Sequence, residues 1–343
     1  MTSDRFIPRR RAFAASMLGA GAALMAGASP AQAQTAGKGR TYYYASQLLG
    51  HPYLLDCHLG MRYAAKAFGA DIRTVGPQGW DPVGHASAVE QAIAKKPAGI
   101  VTSLWEPGAV PAIKRAMSQG IPVIVIEATV PDNGALSFIG MDNYACGADT
   151  AKALIKFAGK KGKYVASGNW GASNTDAKVK GLTDYLKANS EWELVGRVDD
   201  KASTEAAIAS SKAMFNTYKG LNAVVGLDSS SGSGIALAAE EMDVDLGKIT
   251  VVVHDRESPV LEYIKKGLIK GSVINKTALQ CFAAVQMLES YNSPNGLAGV
   301  PISADNKAAG VVAAPQQVFM GTELITRETV DLFNHQKIPQ YRS

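Results

Sequence analysis

At about 150 residues per domain, a chain of 343 residues has material for two domains, and a 47% apolar fraction is ample for a core in each. Of the net charge of +5, residues 1–33 hold +3 (Arg5, Arg9, Arg10 and Arg11 against Asp4), and the remaining +2 is spread without a dense basic run, so a nucleic-acid-binding face has no electrostatic footprint. The three cysteines, Cys57, Cys146 and Cys281, have neither metal nor redox spacing and read as small buried apolar side chains.

The first residues form an export pattern. Arg9-Arg10-Arg11-Ala12-Phe13 is basic, Ala14 to Ala28 is apolar and rich in Ala and Gly, and Ala31-Gln32-Ala33 fits a small-residue cleavage site. The spacing of Arg10-Arg11-Ala12-Phe13 resembles the twin-arginine signal, which exports folded proteins. The apolar run is too short and too weakly hydrophobic for a retained anchor. The mature chain is expected to begin near Gln34, cleaved after Ala33, and to be soluble in the periplasm.

Strand and helix patterns then alternate. Thr41 to Ser46 reads as a strand, followed by a loop from Gln47 to Pro52 and a helix from Tyr53 to Phe68, with Leu55, Leu59, Ala64 and Phe68 at helical intervals and Gly69 as its stop. Ala70 to Val75 is a strand, Pro77 to Pro82 a loop and Ser87 to Lys95 a helix. Gly99 to Leu104 is a strand and Val110 to Gln119 a helix. Ile121-Pro122-Val123-Ile124-Val125-Ile126-Glu127 is a continuous β-branched run, the signature of a strand covered on both faces. Ser137 to Asp142 follows with no room for a helix and is expected to be an edge strand leaving a first lobe. The alternation restarts with helices expected at Ala145 to Ala158, Thr175 to Asn189, Thr204 to Tyr218, Gly232 to Met242, Pro259 to Lys266 and Ala278 to Ser290. Strands between them are expected at Lys163 to Gly168, Glu193 to Val198, Ala223 to Leu227, Thr250 to His254 and Ser272 to Ile274. Ser293 to Pro315 reads as loop and Val318 to Ile325 as one last strand.

The expected fold is α/β: two doubly wound parallel-sheet lobes joined by a multi-strand hinge, with a ligand cleft between them. The boundaries implied are 1–33 for the export signal, 40–142 plus 276–304 for the N-terminal lobe, 143–275 plus 305–330 for the C-terminal lobe, and 331–343 for a tail. Ligands of open α/β sheets bind beyond the carboxyl ends of strands. Four strands end there in an acid or an amide: Glu127, Asp228, Asp255 and Asn275.

At this point the chain resembles a known family, the periplasmic sugar-binding proteins of ABC importers of the ribose-binding type. The resemblance spans nearly all of the mature chain. It is carried by His51-Pro52-Tyr53-Leu54, similar to that family's Asn-Pro-aromatic turn, and by Ala112-Ile113-Lys114-Arg115-Ala116 followed by Gly120-Ile121-Pro122-Val123. Gly140-Met141-Asp142-Asn143 resembles its first hinge crossing and Gly321-Thr322-Glu323-Leu324-Ile325-Thr326 its closing segment. The resemblance implies ligand contacts at Tyr53, Glu127, Asp228, Asp255 and Asn275. Two arginines of ribose binders fall on Asp176 and Ala128, which argues against ribose. Thr175-Asp176 is closer to the rhamnose- and autoinducer-2-binding subgroup, whose first-loop lysine falls on Gln47.

The residue chemistry points the same way. Carboxylates and amides serve the hydroxyls of a sugar, deoxysugar or polyol, and aromatic faces cover its C–H face. Trp170, Trp105 and Tyr53 are the aromatic candidates, with Ser103 at the strand end before Trp105. The blander reading of each acid is a helix N-cap, which suits Asp228 before Ser229-Ser230-Ser231, and that of Trp170 is loop packing. Glu127, Asp176, Asp228 and Asp255 without a matched arginine leave a cation caged by aromatics as the competing ligand. No cofactor, metal set, phosphate loop or nucleophile elbow is expected, and so no enzyme. The expected partners are a small polar ligand and an ABC permease in the inner membrane, with the chain a monomer. A ligand-presenting partner of a chemosensory or receptor-kinase system is the alternative. A repressor's effector domain is disfavoured by the export signal, and a hydrolase using Glu127 and Asp176 is the enzymatic competitor.

Overall fold

A computed structural model describes residues 39–339; the export-signal reading of residues 1–33 lies outside them. The first sheet is built by β1 (Thr41–Ala45), β2 (Asp71–Val75), β3 (Gly99–Ser103), β4 (Val123–Glu127) and β5 (Ser137–Gly140), with α1 (Leu54–Phe68), α2 (Pro82–Ala94) and α3 (Val110–Ser118) as crossovers. The chain then passes through α4 (Asn143–Ala158), β6 (Lys161–Gly168), α5 (Ser173–Asn189), β7 (Glu191–Asp199), α6 (Thr204–Thr217), β8 (Ala223–Gly226) and α7 (Ser229–Glu241). It continues with β9 (Thr250–His254), α8 (Ser258–Lys266), β10 (Gly271–Ile274), α9 (Thr277–Asn292), β11 (Gln317–Phe319) and β12 (Glu323–Ile325). The sheet orders are β11-β5-β4-β3-β1-β2 and β12-β10-β9-β8-β6-β7. Every pairing is parallel except β10 with β12. Each sheet thus reverses its winding next to its first strand, the doubly wound arrangement.

Strand alternation explains why each sheet needs helices on both faces. Tyr42, Tyr44, Val101, Ile124, Ile126 and Ile139 enter one core, while their neighbours Tyr43, Ala45, Ile100, Val123, Val125 and Phe138 enter the other. The second sheet divides in the same way, with Val165, Val224, Val251 and Val253 against Tyr164, Ala166, Val225 and Val252. The three cysteines are buried free thiols within α1, α4 and α9.

Four sequence expectations need correction. The helix expected from Ser87 begins a turn earlier, because Asp81 accepts a hydrogen bond from the Gly84 N–H and Pro82 occupies the first turn, so a stretch read as loop is a helix start. The helix expected from Thr175 begins at Ser173. The strand from Ser137 is not an edge, because β11 pairs with it. Finally, Val318 to Ile325 is two strands in two sheets, split by a turn at Gly321 with φ +67°. The last passage between the lobes therefore lies between Phe319 and Glu323 rather than near residue 304.

Candidate functional site

The cleft is built from strand ends. β4 and β9 hold equivalent places in the two sheet orders, and the residues at their tips, Glu127 and Asp255, both adopt left-handed backbone, φ +68° and +67°. For a side chain with a Cβ this costs roughly 1–2 kcal/mol. Both lobes carry that strain at one matched position. There the chain must leave the sheet while its carboxylate turns toward the space between the lobes. Together with Leu48, His51, Tyr53, Trp80, Trp105, Asn174, Lys178 and Asp228, these residues line a cleft enclosing about 430 Å³.

Glu127 is buried at 3% exposure and accepts a hydrogen bond from the Asn275 amide at 2.7 Å. The same amide donates to the Tyr53 hydroxyl at 2.9 Å. Asn275 stands where the chain passes from β10 to α9, so a hinge residue orients a first-lobe acid. Asn143, opening α4 after the passage from β5, reaches the Glu127 carbonyl at 3.4 Å. Burial pushes the Glu127 carboxyl up, opposed by the Lys178 ammonium and by hydrogen bonds from Tyr53 and Asn275. Burial likewise pushes Asp255 up, to about 7, with Lys178 opposing and Glu127, Asp228 and Asp56 adding to the rise. Lys178 is 2% exposed. Burial works against its charge, but Cys146, Asp255, Glu127 and Asp228 outweigh it and hold the ammonium above its ordinary range.

Asp228 does two jobs: it caps α7 by accepting from the Ser230 N–H at 3.0 Å, and it lines the cleft. Behind it, Asp200 is fully buried and accepts from the Ser231 hydroxyl and the Ala202 N–H. Burial and the Asp228 charge hold Asp200 well above the usual carboxylate range. His51 faces Ser230 across the cleft at 3.4 Å, and burial lowers its pKa.

The aromatic wall is made by Trp105, Trp80 and Tyr53. Trp80 and Trp105 pack with ring centroids 5.9 Å apart, and the Trp80 N–H donates to Glu106 at 3.2 Å.

Of the sequence candidates, Tyr53, Trp105, Glu127, Asp228 and Asp255 are brought together in the cleft wall, and Asn275 is joined to them through Glu127. Four are placed elsewhere. Asp176 is on the outer side of α5, exposed, and accepts from the Gly171 N–H at 3.3 Å. Trp170 packs against the second-lobe core, donates to the Val198 carbonyl at 2.9 Å and lies under the Arg197 guanidinium. Gln47 and Ser103 are buried at 1% each, with Nε2 and Oγ lacking a hydrogen-bond partner, and neither contributes to the cleft wall. Sequence reasoning missed His51, Trp80, Asn169, Asn174 and Lys178. Lys178 had a legible signal: it falls one helical turn before Leu182, on the apolar stripe of α5, where a lysine is out of place.

Two doubly wound lobes with three chain passages between them and a polar, aromatic-walled cleft define the two-lobe binding-protein fold. The chain belongs to the periplasmic binding protein family: residues 43–294 match the periplasmic binding protein domain. Among solved structures it is similar to a sugar ABC transporter sugar-binding protein from Bacillus halodurans, at 22% identity and TM-score 0.77 over 86% of this chain and 100% of that one. It is also similar to AraP, an arabinose binding protein from Geobacillus stearothermophilus, at 22% identity and TM-score 0.73 over 86% and 99%. A third is an ABC transporter solute binding protein from Agrobacterium vitis bound with alpha-D-tagatopyranose, at 23% identity and TM-score 0.74 over 86% and 98%. At these identities the likeness is one of fold.

Proposed function

We propose that this chain is an extracytoplasmic solute-binding protein that closes on a neutral sugar, deoxysugar or polyol and delivers it to an ABC permease of the inner membrane. It acts as a monomer in the periplasm after cleavage near Ala33, needs no cofactor and performs no chemistry on its ligand. The observation that carries the reading is the composition of the cleft. An indole and phenol wall stands with Glu127, Asp228 and Asp255 as acceptors and Lys178 and Asn174 as donors. A hydroxyl both donates and accepts, so it can satisfy such a mixed set, whereas a cation can satisfy only the acids. The buried Lys178 and the outward Asp176 remove much of the acid excess that made a cationic ligand the competitor. The printed ligands of the structural neighbours, arabinose and tagatopyranose among them, support the same class.

The test is a thermal-shift screen of the chain from Gln34 against pentoses, hexoses, deoxysugars, polyols and small amines, since a ligand that binds only the folded form raises the midpoint. A shift with a sugar or polyol is expected. A shift with amines alone overturns the ligand class but keeps the receptor reading, and none across the panel, after removal of any co-purified ligand by mild unfolding, counts against both.

A further inference from the structure

Lys178 is an anomaly within the proposed cleft. Its ammonium has three donors, yet its hydrogen-bond acceptor among the described residues is the Leu227 carbonyl, at 3.3 Å. Glu127, Asp228 and Asp255 feel its charge, but none of them forms an ion pair with it within hydrogen-bonding distance. A buried charge with unmet donors is costly unless something completes its shell. One turn earlier on the same face of α5, Asn174 is 7% exposed and its Oδ1 has no hydrogen-bond partner, although the residue lines the cleft. Two polar groups at i and i+4 therefore present unfilled hydrogen-bonding capacity to the same space. What fills it must offer an acceptor to the ammonium and donors to the surrounding carboxylates.

We infer that Lys178 is the specificity-determining donor of this cleft: its ammonium takes the oxygen of one ligand hydroxyl, whose own hydrogen passes on to Glu127 or Asp255. The inference rests on the sugar-binding reading and deepens it by naming what one position of the ligand must be. A hydrogen there leaves the ammonium unfilled, and an amine protonated at neutral pH has no lone pair to accept with. A fluorine accepts weakly but donates nothing. The cleft should thus reject deoxy and amino analogues at a single position, and reject the fluoro analogue there less severely, while positions facing only carboxylates treat deoxy and fluoro analogues alike. Asn174 takes a neighbouring hydroxyl as a donor to its free Oδ1.

The experiment measures dissociation constants by calorimetry for the tightest binder among D-glucose, D-galactose, D-xylose and L-arabinose, with its monodeoxy, monodeoxyfluoro and monoamino analogues. The wild type and Lys178→Met are compared. The wild type is expected to lose more than about a hundredfold in affinity on deoxygenation at one position, with partial recovery for fluorine there. In Lys178→Met that one penalty should shrink at least about tenfold while the others stay. If the position-specific penalty persists in Lys178→Met, Lys178 is not the donor, and the sugar-binding reading survives. If none of the four sugars binds, both fail. Should Lys178→Met not fold, the fluorine pattern in the wild type decides. Its appearance at one position, together with retention of the pattern in Lys178→Arg, supports the inference, and uniform deoxy and fluoro penalties at every position overturn it.

Discussion

At the scale of single residues, the cleft combines acids whose protonation is displaced in one direction with a lysine that opposes the displacement. Asp255 has its pKa raised from 3.8 to about 7, chiefly by burial. A carboxyl that binds its proton more tightly when folded contributes stability that is fully present below about pH 4 and is lost as the pH rises through about 7. The buried histidines His51, His85 and His254 are shifted down and act in the opposite sense as the pH falls. The expectation is therefore a difference measurement. Relative to Asp255→Asn, the ligand-free wild type should lose stability between about pH 4 and 7, on the order of 1–4 kcal/mol by urea denaturation. Affinity should run the other way, since a hydroxyl donates to the ionised carboxylate. It should fall as the pH drops below about 7, and calorimetry in Asp255→Asn should show that dependence flattened. The tryptophans separate the cleft from its surroundings. Trp105→Ala should weaken binding of a ring sugar by about 1–3 kcal/mol, as loss of stacking does elsewhere. Trp170→Ala, which removes a bond to Val198 and a contact with Arg197, should lower the melting temperature and leave the dissociation constant unchanged.

At the scale of elements, the position of α5 decides which of its side chains reach the cleft. α4 and α5 cross at two glycines. A Cβ on Gly147 would collide with the Lys178 carbonyl oxygen, and one on Gly181 with that of Tyr144. The absence of both side chains lets the helices approach closely and turns Asn174 and Lys178 inward, leaving Asp176 on the outside. Gly147→Ala should thus cost about 1–3 kcal/mol of stability by overpacking. It should also weaken ligand binding, because it displaces the turn that carries Lys178. Gly181→Ala should show the stability loss with a smaller effect on affinity. Urea denaturation and calorimetry on the two variants check the pair.

At the scale of the whole molecule, the lobes meet through contacts outside the cleft floor. Arg256, just past β9, forms a two-pronged ion pair with Asp56 of α1, at 2.7 and 3.0 Å, and His335 from the last described turn lies 3.3 Å from the same carboxylate. At the cleft mouth, Ser173 at the start of α5 donates to the Trp105 and Leu104 carbonyls at 2.8 and 3.0 Å. These contacts join groups that separate if the lobes open, so they bias the closed arrangement. Asp56→Ala, which alters no residue of the cleft wall, should weaken apparent ligand affinity by about 1–3 kcal/mol. Small-angle scattering should find the ligand-free variant more extended than the wild type. Equal affinities and equal scattering curves would show that the pair does not hold the lobes.

The α/β alternation, the two lobes and the acids at the strand tips were readable from the chain itself. Continuous apolar runs such as Val123 to Ile126 demand cover on both faces, and a polar residue ending such a run marks the strand's edge. Local chemistry was under-read only where two signals overlapped, as at Asp81-Pro82, where a cap and a first-turn proline looked like a loop. What only the tertiary structure decided is how non-adjacent segments face one another. The rotation of α5, set by its packing on α4, exchanged Asp176 for Asn174 and Lys178. The packing of the second-lobe core drew Trp170 away, and the antiparallel return of β12 after the turn at Gly321 divided one apparent strand between two sheets. Hydrophobic periodicity specifies which face of an element is buried, but the partner against which it is buried depends on contacts hundreds of residues apart, such as Asp56 with Arg256, for which the local sequence carries no signal.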